Sequence, residues 1–212
     1  MQAITDTKHL TVQTLPPILV LTGEDVGQFE WLKKDILKKI GYDPSDLNYS
    51  YFDMKEASYA EVELDLVSLP FFADEKIVIL DHLLDLTTAK KRNLTDEDLK
   101  QFENYLENPS ESTRLVIFTE GKLDSKRRLV KLLKRDAQII EATTPKEQDL
   151  KRYFSGQAQE LGLHFVGDSL DQLLLKSGYD FGELQKNLAL LQAYKEDGQI
   201  TLQDIEEVVP KS

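Results

Sequence analysis

The chain has 212 residues, no cysteine, and 38 acidic against 26 basic side chains, for a formal net charge of −12. A disulfide framework, a thiolate metal site and a cysteine nucleophile are thereby excluded, and the acidic balance argues against an autonomous nucleic-acid binder while leaving room for a local basic face. With 41% hydrophobic and 30% charged residues, the composition is that of a globular protein with enough chain for a medium domain plus a small one. The opening "MQAITDTKHLTVQTLPP" lacks a basic start followed by an apolar core, and no run of about 18 apolar residues occurs, so a cytoplasmic protein with no membrane partner is expected.

From Ile18 to about Ala142, short apolar runs alternate with helical periodicity, which predicts β-α units and a parallel sheet covered on both faces. Strands are predicted at 18–22, 49–53, 76–81, 114–120 and 137–141. The first helix carries Val26, Phe29, Leu32 or Lys33, Ile36 and Ile40 along one side and stops at Gly41, with Lys33, Lys34, Lys38 and Lys39 on the other side. A second opens with the capping box Ser58-x-x-Glu61 and runs towards Pro70. The third starts near Thr95, buries Leu99, Phe102 and Leu106, and is closed by Pro109; a fourth follows Asp124 and Ser125 with Leu129, Leu132 and Leu133 as its apolar stripe. After Thr143 the pattern is purely helical, which places a domain boundary there. Thr144-Pro145 is expected to cap a helix ending at Gly162, followed by helices near 168–177, 180–196 and 202–209, the middle one striped by Phe181, Leu184, Leu188 and Leu191.

A five-stranded parallel sheet followed by a helical bundle is the plan of AAA+ ATPase modules, so the site chemistry decides what the chain does. A phosphate loop needs G-x-x-x-x-G-K-[S/T], with backbone amides around the phosphates, a lysine on the outermost one and a hydroxyl on magnesium. In "ILVLTGEDVGQFEWL" the glycine is followed by Glu24 and Asp25, which satisfy the positive end of the helix dipole and repel a triphosphate. Asp81 of "KIVILDH" stands where a magnesium-binding aspartate would, but His82 follows in place of the glutamate that orients water. A turn or cap role is the ordinary one for such an Asp. His9, His82 and His164 lie in three distant segments without metal-ligand spacing, and no nucleophile elbow is present. The expectation is a degenerate ATPase module with no catalytic, cofactor or metal residues.

Two other stretches stand out. "KLDSKRRLVKLLKR", Lys122 to Arg135, breaks the acidic trend, and on a helix Arg127, Lys131, Lys134 and Arg135 could line one side to meet DNA phosphates or an acidic partner, although a run of charge is ordinarily just a solvated face. In "VSLPFFADEKIVIL" the pair Phe71 and Phe72 follows a helix-ending proline on a short connection. Adjacent side chains diverge, so both rings cannot enter one core and at least one is expected to be exposed, either tolerated or as an anchor for a partner.

"ILVLTGED", "SLPFFADEKIVIL", "TRLVIFTEGKLDSKRRLVKLLK" and "SGYDFGELQKNLALLQAY", in this order and spacing from about Ile18 to Val209, are similar to the delta-subunit family of the bacterial DNA polymerase III clamp loader. The resemblance implies an AAA+-like (RecA-like) α/β domain over residues 1–142 and a small helical lid domain over 143–212. It implies a non-catalytic subunit, without a cofactor, that binds the ring-shaped sliding clamp and helps open it during replication. By resemblance Phe71 and Phe72 insert into a pocket on the clamp, with Ser68, Leu69, Pro70 and Ala73 as flanking contacts. Lys126, Arg127, Arg128 and Lys131 are the candidate contacts to primer-template DNA or a partner. The family's third, all-helical domain, which joins the other loader subunits, has no counterpart in these 212 residues, so an N-terminal portion is expected. Two other functions fit the residues taken alone: a divergent nucleotide hydrolase using Asp81, and a structural DNA-binding module using the basic segment.

Overall fold

The computed structural model describes residues 1–211 and begins with a short helix, α1 (Gln2–Thr7). The chain then alternates through β1 (Ile18–Thr22), α2 (Val26–Lys39), β2 (Tyr49–Asp53), α3 (Tyr59–Val67), β3 (Lys76–Asp81), α4 (Asp96–Glu107), β4 (Thr113–Phe118), α5 (Arg128–Asp136) and β5 (Gln138–Glu141). All five strands pair in parallel, in the order β2-β3-β4-β1-β5. Contacts divide the chain into two compact units, one of Gln2–Thr143 and one from Thr144 onward.

Strand alternation builds two cores from one sheet. Val20, Val78, Leu80, Leu115 and Ile117 face one way, onto Val62, Leu66, Phe102, Leu106, Leu129 and Leu133. Leu19, Leu21, Ile77, Ile79, Val116 and Phe118 face the other, onto Phe29, Leu32, Ile36 and the N-terminal Ala3 and Leu15. This two-sided burial explains why β1 and β3 are near-continuous apolar runs. Capping follows the sequence: Ser58 with Glu61, and Thr95 with Asp98, form reciprocal boxes, and Gly41 takes a φ of +71° after α2.

Several sequence expectations are corrected. Val26, the first residue of α2, is exposed, and the buried side of the helix starts at Gln28 and Phe29. Leu99 is only partly buried at the edge of its core. β4 ends at Phe118 and not at Glu120; just beyond it the Thr119 hydroxyl donates to the Leu83 carbonyl (2.9 Å). α5 begins at Arg128, so Lys126 and Arg127 precede the helix.

The second unit comprises α6 (Glu147–Glu160), α7 (Ser169–Lys176), α8 (Phe181–Tyr194) and α9 (Leu202–Val208). Its helices pack through Phe154, Phe181, Leu184, Leu188 and Leu191, all buried. Thr144 and Pro145 do not cap α6, whose N-cap is Lys146. Nor is the unit purely helical: β6 (His164–Phe165) and β7 (Gln199–Ile200) form a two-residue parallel pair. Gly198 makes that pair possible, since a Cβ there would lie 2.4 Å from the Gly162 carbonyl oxygen.

Asp204 closes the Thr201 capping box at the start of α9. Its carboxyl is held below its ordinary value, chiefly by the Thr201 amide, with the Thr201 hydroxyl and Lys195 adding to it. Because the folded value lies below the unfolded one of about 4, this contribution to stability is complete above that pH and is lost as pH falls through the folded value. Asp204→Asn should lower Tm clearly at pH 7 and little in strong acid, measured by thermal melts across pH.

Candidate functional site

The β1-α2 junction has the backbone path of a phosphate loop but uses its donors internally. In the register of G-x-x-x-x-G-K-[S/T], Thr22 holds the first glycine position, Gly27 the second, Gln28 that of the lysine and Phe29 that of the hydroxyl. The Gly23 amide donates to the Gly121 carbonyl (3.0 Å) and the Asp25 amide to that of Ala142 (3.2 Å). Gln28 is buried; its amide donates to Asp25 Oδ1 (2.8 Å) and its side chain to the Thr143 carbonyl (2.9 Å). Phe29 is core. Gly23 has a φ of +126°, and a Cβ there would stand 2.2 Å from the Ala142 carbonyl oxygen, so the chain after β5 closes directly over the loop.

Asp81, at the end of β3, is buried and holds an internal cation. Its carboxylate pairs with the Lys33 ammonium from α2, accepts the Tyr51 hydroxyl and accepts the His82 amide (2.8 Å). The lysine nitrogen also lies 5.8 Å from the Phe118 ring centroid. Burial, then the bond to Asp81, pushes the Tyr51 hydroxyl far above its ordinary value. His82 adopts a φ of +57° and places Nδ1 2.9 Å from Asp53 Oδ1. Backbone donation from Lys55, helped by His82, keeps the Asp53 carboxyl below the usual carboxylate range. His9 and His164 are exposed and remote from this cluster in the chain. Among the described residues, no group of three or more His, Cys, Asp or Glu side chains could hold a metal ion. The sequence placed Lys33 at the border of the apolar stripe, on either side of it, and did not pair it with Asp81.

A second feature lies at the opposite, amino-terminal edge of β3. α3 ends at Val67 with Ser68 as its C-cap, and the chain runs through Leu69, Pro70, Phe71, Phe72 and Ala73 before entering the sheet at Lys76. Both aromatic rings are out of the core, Phe71 87% and Phe72 73% exposed, with centroids 6.3 Å apart. Leu69 is equally exposed and Ala73 faces solvent, while Pro70 is half-buried. Leu64 and Val67, at i and i+3 on α3, are exposed as well; the sequence analysis missed them.

The loop is open at its tip and fixed at its base. The buried Lys76 ammonium donates to the Asp65 carbonyl and to Ser68 Oγ (2.7 Å), tying the end of α3 to the start of β3. Thr113 Oγ1 donates to the Leu66 carbonyl (3.1 Å), and Arg114 grips Glu75 through Nε (2.6 Å) and Nη2 (3.3 Å).

Much of the basic segment is already paired. Arg127 pairs with Asp124, Arg128 with Glu103 and Glu107, and Arg135 with Glu107 and Asp136, while Lys134 donates to Ser125 Oγ (2.6 Å). Lys126 and Lys131 are exposed and have no ion-pair partner among the described residues.

Two outcomes follow from this geometry. Lys33→Met strands a buried carboxylate and should cost about 3–5 kcal/mol in a denaturant titration. Lys76→Met should speed chymotrypsin cleavage after Phe71 or Phe72 in the native protein, with Lys76→Arg restoring part of the protection.

Residues 19–143 match the profile of the family described as "DNA polymerase III, delta subunit". The DNA polymerase III subunit delta of Bacillus subtilis (strain 168) is 26% identical over 211 residues, which are 97% of this chain and 60% of that protein. The chain thus spans less than two thirds of the length of the curated relative. The solved Bacillus subtilis DNA clamp loader delta protein superposes with a TM-score of 0.69 at 22% identity, over 100% of this chain and 62% of that one. A Thermotoga maritima RuvB variant shares the fold with a TM-score of 0.56 at 10% identity, over 98% of this chain and 68% of that one. With a profile match across most of the parallel sheet and an AAA+-like architecture around it, the chain belongs to the DNA polymerase III delta-subunit family.

Proposed function

We propose that this chain acts as a clamp-loader delta subunit that binds the sliding clamp through Phe71 and Phe72, with Ser68, Leu69, Pro70 and Ala73 flanking, and helps hold the ring open for loading. The observation that carries this is the exposed aromatic pair on a loop with a fixed base. Burial in a pocket contributes about 1.5–3 kcal/mol per ring, which makes the pair a hot spot. Opening the ring requires tighter binding to the open form than to the closed one, because only differential affinity shifts that equilibrium.

In this reading the subunit hydrolyses no ATP itself and works in the bacterial cytoplasm beside the other loader subunits, which it meets through a C-terminal domain outside these residues. The reading is supported by loop amides committed to Gly121 and Ala142 and by the Lys33 cation at Asp81. Primer-template DNA is a further proposed partner of the assembly. Of its candidate contacts, Lys126 and Lys131 are unpaired, whereas Arg127 and Arg128 must leave acidic neighbours to reach phosphate.

Calorimetric titration with a matched sliding clamp tests the reading. A Phe71→Ala, Phe72→Ala variant, folded by circular dichroism, should bind at least about tenfold more weakly, or 1.4 kcal/mol. Equal binding by parent and variant contradicts it, and tight binding of magnesium-ATP would favour a nucleotide hydrolase instead.

A further inference from the structure

Two apolar cavities lie at the amino-terminal edge of the sheet, outside the aromatic pair. The larger, about 260 Å³, is walled by Pro17, Ile18, Tyr105, Pro109 and Leu115, where the entry to β1 meets the turn from α4 into β4. Its wall is held by the Leu115 amide, which donates to the Pro17 carbonyl (2.9 Å), and by the Ser110 amide, which donates to the Tyr105 hydroxyl (3.4 Å). The smaller, about 200 Å³, is walled by Val12, Tyr49, Ala73 and Ile77. Glu75 and Arg114 line both, so their ion pair stands between the two. Ile18 and Leu115 belong to one face of the sheet, Tyr49 and Ile77 to the other.

The rim of this double site is acidic. Asp46, Glu75 and Glu111 line it against Arg114, which Glu75 already grips. Glu111 is exposed and has no ion-pair partner among the described residues. A carboxylate beside apolar walls, on a chain of net charge −12, repels phosphate and attracts an ammonium or guanidinium. Each cavity is smaller than the about 300–1,000 Å³ of a small-molecule site and suits one apolar side chain, which favours a segment of a protein over a free ligand. From the β4-β1 pair to the β2-β3 pair is two strand spacings, about 10 Å, which an extended chain covers in three residues. Side chains three positions apart on such a chain point to opposite sides, as the two cavities require.

We propose that this edge docks an extended segment of a protein partner carrying two apolar side chains three positions apart, flanked by Lys or Arg. One apolar side chain enters each cavity, the backbone crosses the Glu75–Arg114 pair, and a cation of the segment meets Glu111. The proposal uses neither Phe71 nor Phe72 and does not rest on clamp binding.

The test is NMR of the full chain labelled at isoleucine δ1 methyls, since Ile18 reports one cavity and Ile77 the other. The probe peptide acetyl-KLKKLK-amide should shift both methyls saturably, in the parent and equally in the Phe71→Ala, Phe72→Ala variant. Acetyl-KSKKSK-amide, which lacks the apolar side chains, and acetyl-ELEELE-amide, which reverses the charge, should leave both unmoved. Glu111→Lys should weaken binding of the first peptide at least about fivefold. Glu97→Lys, the same charge change at an exposed position on the first turn of α4, should weaken it less than about twofold, acting only through the screened overall field. The proposal is overturned if either methyl stays unmoved by the first peptide, if a control peptide shifts them equally, if the phenylalanine variant loses the response, or if the two lysine variants lose affinity equally.

Discussion

An ammonium group from α2 sits against the buried carboxylate of Asp81, at the place where an AAA+-like sheet would present its acid to magnesium. A buried carboxylate without a counter-charge is costly, so some cation must stand there. Here the chain supplies its own, and Tyr51 and the His82 amide complete the coordination. The same substitution is repeated at the β1-α2 turn, where Gln28 and Phe29 replace the lysine and hydroxyl and the amides are turned onto carbonyls of Gly121 and Ala142. At both places groups of the protein itself meet the carboxylate or the loop amides named here.

Once the sheet is closed in this way, the groups left without partners are elsewhere. At the amino edge of β3 they are apolar, an aromatic pair on a loop whose base is tied by Lys76 and Arg114. Along the carboxyl edge they are cationic, Lys90, Lys91 and Arg92 on the connection from β3 to α4, whose base is tied where Asp85 accepts the Asn93 and Leu94 amides. In both cases buried or well-paired polar groups fix the ends of an exposed segment, which lowers the ordering entropy that a partner would otherwise have to overcome on binding.

Much of the fold was legible because the signals are local. Apolar runs marked β1, β2 and β3 at their observed bounds, and Ser58-Glu61 and Thr95-Asp98 announced their helices. The errors came where distant groups decide. Thr144-Pro145 has the chemistry of a helix start, but the helix waits until Glu147. The β6-β7 pair depends on the close approach of Gly198 to Gly162, which no periodicity encodes. At the site, by contrast, the divergence of adjacent side chains predicted at least one exposed Phe, and both rings are exposed. The sequence left Lys33 at the border of the apolar stripe without a partner, because that partner lies 48 positions further on. Charge spacing suggested a basic face on α5, where Glu103 and Glu107 of the neighbouring helix neutralise the arginines.

We propose that internal contacts replace the nucleotide chemistry of this sheet and that partner binding lies on the aromatic loop. The most direct measurement is ¹⁹F NMR of the chain carrying fluorophenylalanine at position 71, titrated in turn with magnesium-ATP and with a matched sliding clamp. The account predicts a resonance that ignores the nucleotide and shifts or broadens strongly with the clamp. A resonance unmoved by the clamp, or moved by the nucleotide, would contradict it.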